Sequence, residues 1–314
     1  MTGTNASTPQ NNIKKRAQPV TLIHHAAQSE HGRPPSSLSA LEHCLMAGAA
    51  VVEIDVLPLA DGSFVLLHEQ NLDEETDGTG KAPHMRRDQV QDLHYRVNGQ
   101  VTEEKVGFLE SALELLAAYP HTKRLQLDFK PYTPLTPTNL KRLLEMIAPV
   151  KTRVQITSVA DWVVRLLART DLSLALGFDP LLYLDLTRDE ARPAAAPPFR
   201  IGAYGLLDDH PLSAYRWGTL SEYFAARAET LLYQVPQGID WFIRAEVLQK
   251  ALEAGFDWID FLHQAGSKVD GWTIDVRQTD QVELAQTLIA HGVDALTTDT
   301  PSQLAKLLPV ETIV

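Results

Sequence analysis

Short apolar runs alternate with amphipathic segments along most of the chain. Runs rich in β-branched residues are typical of buried strands, whereas apolar positions at helical spacing indicate helices. Eight runs are predicted as strands, starting at Val20, Val51, Leu125, Val154, Leu172, Leu231, Val269 and Ala295. Helical or loop material follows each run, and this order favours repeated parallel strand–helix units over a sandwich.

Eight such units in one chain predict a closed (β/α)8 barrel, with a small hairpin after the second strand. Asp61-Gly62 supplies the turn of that hairpin, and residues 63–67 are predicted as its returning strand. An open, doubly wound sheet is the alternative, but no glycine-rich phosphate loop follows the first strand. Residues 19–314 are therefore predicted to form a single barrel domain.

Three further stretches fall outside the strand–helix rhythm. Residues 1–18 are polar and are predicted as a disordered tail. Residues 70–107 are turn-rich and are predicted as a long loop over one end of the fold. Residues 201–207 are predicted as a strand within an elaborated connection.

Two carboxylates interrupt the second predicted strand. Glu53 and Asp55 are two residues apart, so strand alternation points both side chains to one face. Buried carboxylates of this kind need a cation, shared protons or water, and a hard divalent metal satisfies both at once. A solvated edge strand is the alternative interpretation of the pair alone.

Ionisable residues end several other predicted strands as well. In a (β/α)8 barrel the loops after the strands build the active site, so charged residues at strand carboxyl ends are candidates. The set comprises His24, Glu53, Asp55, Asp128, Lys130, Asp275 and Asp299. The hairpin is expected to return His68 towards the carboxylates.

Composition excludes some classes of partner. Twenty-eight basic and forty acidic residues give a formal net charge of −12, which disfavours nucleic acid and anionic membranes as partners. No segment is apolar enough for a signal peptide or a membrane span, so stable membrane insertion is not expected. The single cysteine, Cys44, cannot form an internal disulfide and is predicted as a buried thiol in a reducing, cytoplasmic compartment. Nothing in these patterns predicts an oligomeric state.

The ordered motifs resemble those of the glycerophosphodiester phosphodiesterase family. The stretches that carry the resemblance are HHA at 24–26 (H-R-G), EID at 53–55 (E-x-D), 61–69 (D-G-x-x-V-x-x-H-D), 72–80 (L-x-R-T-T-x-G-x-G), 107–113 (P-T-L-E-E-x-L), DFK at 128–130 (E-x-K), WTID at 272–275 (W-T-V-N) and 292–301 (G-V-D-x-x-x-T-D-x-P). Members of this family are (β/α)8 barrels that hydrolyse glycerophosphodiesters to glycerol 3-phosphate and an alcohol.

The resemblance implies a site for a small phosphodiester substrate. One divalent metal, Mg²⁺ or Ca²⁺, is expected on Glu53, Asp55 and Asp128. His24 and His68 are expected to act as general acid and base, because imidazole can take and give a proton near neutral pH. Lys130 is expected to supply fixed positive charge, and Trp272 to line the substrate site.

Departures from the family motifs concern the phosphate-binding residues. His25 stands where the family has an arginine, Ala26 where it has a glycine, and residues 34–37 read PPSS instead of P-E-N-T. Imidazole is a poorer bidentate donor than guanidinium, so Arg33 in the same loop is the predicted compensating cation, with His25 as a further substrate contact. Two alternatives follow: a phospholipase D-like lyase that forms a cyclic phosphate, and a noncatalytic descendant that binds phosphate or metal.

Overall fold

The computed structural model describes residues 19–28, 32–130, 135–184 and 218–314. The predicted tail and the predicted strand at 201–207 lie outside these ranges. The strands within them are β1 (Val20–His24), β2 (Val51–Pro58), β3 (Phe64–Val65), β4 (His94–Val97), β5 (Gln100–Lys105), β6 (Arg124–Phe129), β7 (Val154–Ser158), β8 (Ala175–Phe178), β9 (Asp240–Arg244), β10 (Val269–Ile274), β11 (Ala295–Thr298) and β12 (Thr312–Ile313).

Helices separate most of these strands. They are α1 (Leu38–Met46), α2 (Leu72–Glu75), α3 (Arg87–Val90), α4 (Leu109–Ala118), α5 (Pro137–Ile147), α6 (Asp161–Thr170), α7 (Leu220–Gln234), α8 (Ala245–Glu253), α9 (Trp258–Gln264), α10 (Gln281–Ala290) and α11 (Pro301–Leu307). None of the helices in the described ranges is long and apolar enough to cross a membrane.

Eight parallel strands close into a barrel, which confirms the predicted fold. Their order is β1–β2–β6–β7–β8–β9–β10–β11, and β11 pairs with β1 to complete the ring. The returning strand β3 runs antiparallel to β2, so the predicted hairpin is also confirmed. Gly62 turns that hairpin with a φ of 82°, a conformation that glycine adopts without steric cost.

The main core lies between the barrel and the surrounding helices. Alternate strand residues such as Val52, Ile54, Leu125 and Leu127 are buried there with the apolar faces of the helices. Each buried side chain of this size stabilises the fold by about 1.5–3 kcal/mol. Cys44 is part of this core, as predicted, and burial raises the pKa of its thiol to about 11.

The prediction of a long loop at residues 70–107 is wrong, because this stretch forms a small folded insertion. It contains α2, α3 and the antiparallel pair β4–β5, over an apolar cluster that includes Leu57, Leu67 and Tyr95. The Tyr95 hydroxyl donates to the Leu66 carbonyl oxygen at 2.9 Å and accepts the Gly107 N–H at 3.0 Å. These contacts fasten the insertion to the hairpin that carries His68.

Two predicted strand starts are also wrong. Leu231 belongs to α7, where Tyr223, Ala228 and Leu231 are buried at helical spacing, and the sixth barrel strand is β9 instead. The fifth barrel strand begins at Ala175, and Leu172 is almost fully exposed. In both cases a short apolar run was taken for a strand, although such runs also occur in helices and in the residues that precede a strand.

Candidate active site

Three carboxylates converge at the carboxyl ends of neighbouring strands β2 and β6. The parallel register places Asp55 beside Asp128 and Glu53 beside Gln126. Oxygens of Glu53, Asp55 and Asp128 lie within 4.8 Å of one another, and Glu53 and Asp55 are only 3% exposed. The structure therefore brings together the three residues predicted as metal ligands.

Glu53 has one oxygen that the protein satisfies and one that it does not. Its Oε2 accepts the backbone N–H of Ala26 at 2.6 Å, whereas Oε1 is buried and has no partner among the described residues. Burial, together with the charge of Asp55, raises the pKa of Glu53 to about 8. A cluster of hard oxygen donors with one orphaned oxygen fits Mg²⁺ or Ca²⁺.

Asp55 is held from two sides. Ser36 Oγ donates to Asp55 Oδ2 at 2.9 Å and accepts the Asp55 N–H at 2.9 Å. The Lys130 ammonium lies 3.1 Å from Asp55 Oδ1 and also pairs with Asp128. Burial alone would raise the pKa of Asp55, but Lys130 and the two nearby histidines outweigh it and lower the pKa to about 2.

Lys130 stays charged in this setting. Burial would lower its pKa, but the carboxylates of Asp128 and Asp55 raise it well above the ordinary value. Lys130 therefore contributes a permanent positive charge to the cluster, at the place the sequence predicted.

His25 forms the first of two histidine–carboxylate pairs. Its Nδ1 lies 2.7 Å from Asp299 Oδ1 at the end of β11. Burial would lower the pKa of His25, but the Asp299 hydrogen bond and the charges of Glu53 and Asp55 raise it to about 9. His25 is therefore an imidazolium at neutral pH, with Nε2 as its remaining donor.

His68 forms the second pair, in the loop after the hairpin. Its Nδ1 lies 2.8 Å from Glu69 Oε1. Glu75 Oε2 accepts the backbone N–H groups of His68 and Glu69 at 2.8 and 3.0 Å, which fixes this loop. Burial and Lys130 lower the pKa of His68, but Asp55 and Glu69 outweigh them, so the net direction is upward.

His24, predicted as a catalytic residue, lies elsewhere. In the parallel register it stands beside Val52 and Thr298, and strand alternation turns these side chains away from the barrel interior. It is 7% exposed, its Nε2 has no partner among the described residues, and burial lowers its pKa to about 4. The structure thus brings His25, and not His24, to the carboxylates.

A short helical turn after β1 positions His25 next to the carboxylates. Residues His25–Ala27 form one 3₁₀ turn in which Ala26 and Ala27 have φ values of 47° and 48°. Such left-handed values cost about 1–2 kcal/mol for residues other than glycine. The turn aims the Ala26 N–H at Glu53, so the costly conformation supports the carboxylate cluster.

One cavity of about 120 Å³ joins these groups. Its lining residues are His25, Glu53, His68, Gln126, Asp128, Lys130, Thr157, Val159, Asp179, Leu181, Phe242, Trp272, Thr273 and Thr297. Trp272, which was predicted to line the substrate site, is one of these lining residues. Arg33 is exposed and does not line the cavity, and Asp275 pairs with Arg277 through its Oδ1 at 2.7 Å.

Sequence reasoning missed three residues of the site. Ser36 occupies the position of the asparagine in the family's P-E-N-T, but a lone serine in a loop gives no signal of contact with Asp55. Asp179 directly follows β8, whose predicted end at Phe178 was right, so the rule for charged strand ends could have found it. Glu75 lies in the stretch that was predicted as loop.

Fold and site together define a (β/α)8 barrel with a carboxylate cluster and two histidine–carboxylate pairs at the carboxyl ends of its strands. A sequence profile of the glycerophosphoryl diester phosphodiesterase family matches residues 24–303. The chain belongs to this family, as the motif resemblance predicted.

Individual relatives agree with that assignment. Glycerophosphodiester phosphodiesterase 1 of Bos taurus is 32% identical over 105 residues, which are 32% of this chain and 31% of the relative. The chain thus spans about a third of the length of this curated relative.

Two solved structures share the fold. A glycerophosphodiester phosphodiesterase from Parabacteroides distasonis superposes with a TM-score of 0.62 at 19% identity and covers 92% of this chain and 96% of its own. A phosphodiesterase from Oleispira antarctica, in complex with the product sn-glycerol-3-phosphate, gives 0.60 at 20% identity over 91% and 96%. At such identities the likeness supports the barrel fold alone.

Proposed function

We propose that the chain is a metal-dependent phosphodiesterase that hydrolyses a glycerophosphodiester to glycerol 3-phosphate and an alcohol. The observation that carries the proposal is one cavity shared by Glu53, Asp128, Lys130, His25 and His68. Membership of the family and the product named for the Oleispira antarctica phosphodiesterase support the same substrate class.

Glu53, Asp55 and Asp128 would hold one Mg²⁺ or Ca²⁺. When bound, such an ion polarises the phosphoryl group and offsets its negative charge. Lys130 adds a fixed positive charge at the same place, because its ammonium already contacts Asp55 and Asp128. This charge stabilises a transition state in which the phosphoryl oxygens gain negative charge.

The two histidines would move the protons. We assign to His25 the role that the sequence predicted for His24, because His25 lines the cavity and His24 does not. In each imidazole Nδ1 is engaged by a carboxylate, Asp299 for His25 and Glu69 for His68, which leaves Nε2 for substrate.

In each turnover His68 takes up one proton and His25 releases one. His68 Nε2 takes a proton from the attacking water as its oxygen bonds to phosphorus. The bond from phosphorus to the alcohol oxygen breaks, and His25 Nε2 gives its proton to that oxygen. Exchange with solvent returns both histidines to their starting states. The Asp299 hydrogen bond raises the pKa of His25 and so favours the protonated form that a proton donor needs.

A panel of glycerophosphodiesters, assayed with Mg²⁺, with Ca²⁺ and with excess chelator, tests the proposal. Release of glycerol 3-phosphate that stops on chelation is the expected result. Phosphorus NMR of the products identifies a cyclic phosphate, which would replace hydrolysis by the lyase reaction. Binding of substrate without turnover under every metal condition would instead indicate a noncatalytic protein. A cytoplasmic location, predicted from the lone cysteine, stays part of the proposal.

A further inference from the structure

A fourth acidic side chain lines the candidate active site. Asp179 directly follows β8, four strands from β1 in the barrel order β1–β2–β6–β7–β8. It lines the cavity together with Leu181, Phe242 and Trp272, on the side away from the hairpin that carries His68. No step of the proposed hydrolysis uses it.

Asp179 has a local structural contact but no directly paired cation among the described residues. Its Oδ1 accepts the Leu181 N–H at 2.8 Å and so caps the short turn Pro180–Leu182. Among residues 19–28, 32–130, 135–184 and 218–314 no ion pair involves Asp179. Burial and the charge of Asp128 raise the pKa of Asp179 well above the ordinary value, although the Leu181 N–H, Lys130 and Arg244 act in the opposite direction. Among the described residues, Lys130 and Arg244 therefore offset only part of the cost of ionising this buried carboxyl group.

The charges of the rest of the site are already balanced. Three carboxylates, Glu53, Asp55 and Asp128, face Lys130 and the two positive charges of the proposed divalent ion. The positive charge of His25 is offset by Asp299. Ionising a further carboxyl group beside an anionic phosphodiester is unfavourable, unless the substrate brings a cation of its own. Phe242 and Trp272 line the same cavity, and aromatic faces attract ammonium groups.

We propose that Asp179, Phe242 and Trp272 form a subsite for an ammonium group on the leaving alcohol. This inference rests on the proposed function. The enzyme then prefers glycerophosphodiesters with a cationic head group, such as ethanolamine or choline, over those with a neutral one, such as glycerol. The phosphate lies at the carboxylates of β2 and β6, and the head group extends towards β8 and β9. A carboxylate–ammonium contact formed there is charge-assisted and shielded from water.

The test compares kcat/KM for glycerophosphoethanolamine and glycerophosphoglycerol in the wild type and in Asp179→Asn. Asparagine retains the side-chain oxygen that accepts the Leu181 N–H, so the turn is kept while the charge is lost. We expect the wild type to favour the cationic substrate about tenfold, equivalent to about 1.4 kcal/mol. Asp179→Asn is expected to bring the ratio close to one, through a loss on glycerophosphoethanolamine and no loss on glycerophosphoglycerol.

Asp171→Asn is the matched control. Asp171 precedes β8 at the opposite end of the barrel, and its Oδ1 accepts the N–H two residues on, from Ser173, at 2.9 Å. The substitution removes the same charge from the same kind of turn and is expected to leave the substrate ratio unchanged.

The possible results distinguish failure of the ammonium subsite from failure of the proposed phosphodiesterase function. Equal wild-type rates on both substrates, or an equal loss on both in Asp179→Asn, overturns the ammonium subsite and leaves the phosphodiesterase proposal in place. A preference that survives Asp179→Asn also overturns it. A wild type that hydrolyses neither substrate with any metal overturns the proposed function, and the subsite with it.

Discussion

The pair formed by His25 and Asp299 offers the sharpest test of the proton-transfer scheme. Their Nδ1 and Oδ1 atoms are 2.7 Å apart, and the side chains are 32% and 19% exposed. Asp299→Asn keeps the size and shape of the partner but removes its charge. The remaining hydrogen bond is neutral, so the imidazolium loses the stabilisation that depends on a carboxylate.

The hydrogen bond between His25 and Asp299 determines how far the pKa of His25 falls in the variant. A hydrogen bond to a charged group contributes about 1.5–3 kcal/mol, and one pKa unit corresponds to about 1.4 kcal/mol. The pKa of His25, raised to about 9 in the native protein, is therefore expected to fall by about one to two units. Glu53 and Asp55 still raise it in the variant, so it does not fall further.

The direction of the pH effect follows from the role of His25 as acid. Activity is lost as pH rises through its pKa, so the alkaline limb of the kcat/KM profile should move to lower pH in Asp299→Asn. Stability gives a second readout. A raised histidine pKa stabilises the fold fully below the unfolded value of 6.5 and no longer does so above about 9, so the loss of stability in the variant should be larger at pH 6 than at pH 10.

Asp257→Asn provides the matched control. Asp257 Oδ2 lies 2.9 Å from His291 Nδ1, far from the cavity, and asparagine retains the N-cap of α9. This variant should keep the wild-type pH profile. If Asp299→Asn also keeps both its turnover and its alkaline limb, His25 is not the general acid.

Three further predictions concern the histidines, the metal and the barrel interior. His68→Ala should lower kcat about 10²–10⁴-fold, whereas His24→Ala should leave kcat/KM within a few fold and lower the free energy of unfolding by about 1–3 kcal/mol, measured by urea denaturation. Mg²⁺ or Ca²⁺ should raise the Tm of the wild type but not that of Glu53→Gln. Without metal, Glu53→Gln should be the more stable protein at pH 8 but not at pH 4, because a carboxyl with a pKa near 8 costs stability once pH exceeds its unfolded value of 4.5. Gly177→Ala should cost about 1–3 kcal/mol in urea, since a Cβ there collides with the ring of Phe242.

Each of these predictions has a result that contradicts it. Near-normal turnover in His68→Ala removes that residue from proton transfer, and loss of turnover in a stable His24→Ala protein restores the role first predicted for His24. A metal-dependent Tm shift that persists in Glu53→Gln places the ion elsewhere. Unchanged stability in Gly177→Ala contradicts the close approach of Phe242 to β8.

The barrel and its carboxylates could be predicted because their signals are local. Strand alternation alone places Glu53 and Asp55 on one face, and the rule for strand carboxyl ends adds Asp128 and Lys130. The register between β2 and β6 then brings Asp55 beside Asp128. Asp128 is distant from Asp55 in sequence, so their convergence could be expected only from the predicted barrel and the family resemblance.

Other features depend on contacts that no local pattern encodes. His24 and His25 are adjacent, and the 3₁₀ turn at His25–Ala27 decides which of them enters the barrel. The run around Leu231 has strand-like composition, but its residues bury at helical spacing only because α7 packs on the barrel. Tertiary packing overrides propensity at such places.

Metal-dependent hydrolysis is tested by running the reaction in ¹⁸O-labelled water with Mg²⁺ or Ca²⁺ and analysing the products by phosphorus NMR and mass spectrometry. Metal-dependent hydrolysis by water attack on phosphorus predicts glycerol 3-phosphate with one ¹⁸O on its phosphate and an unlabelled alcohol, and no product in the presence of excess chelator. An unlabelled cyclic phosphate as final product, label in the alcohol, or turnover that persists without metal would contradict the account.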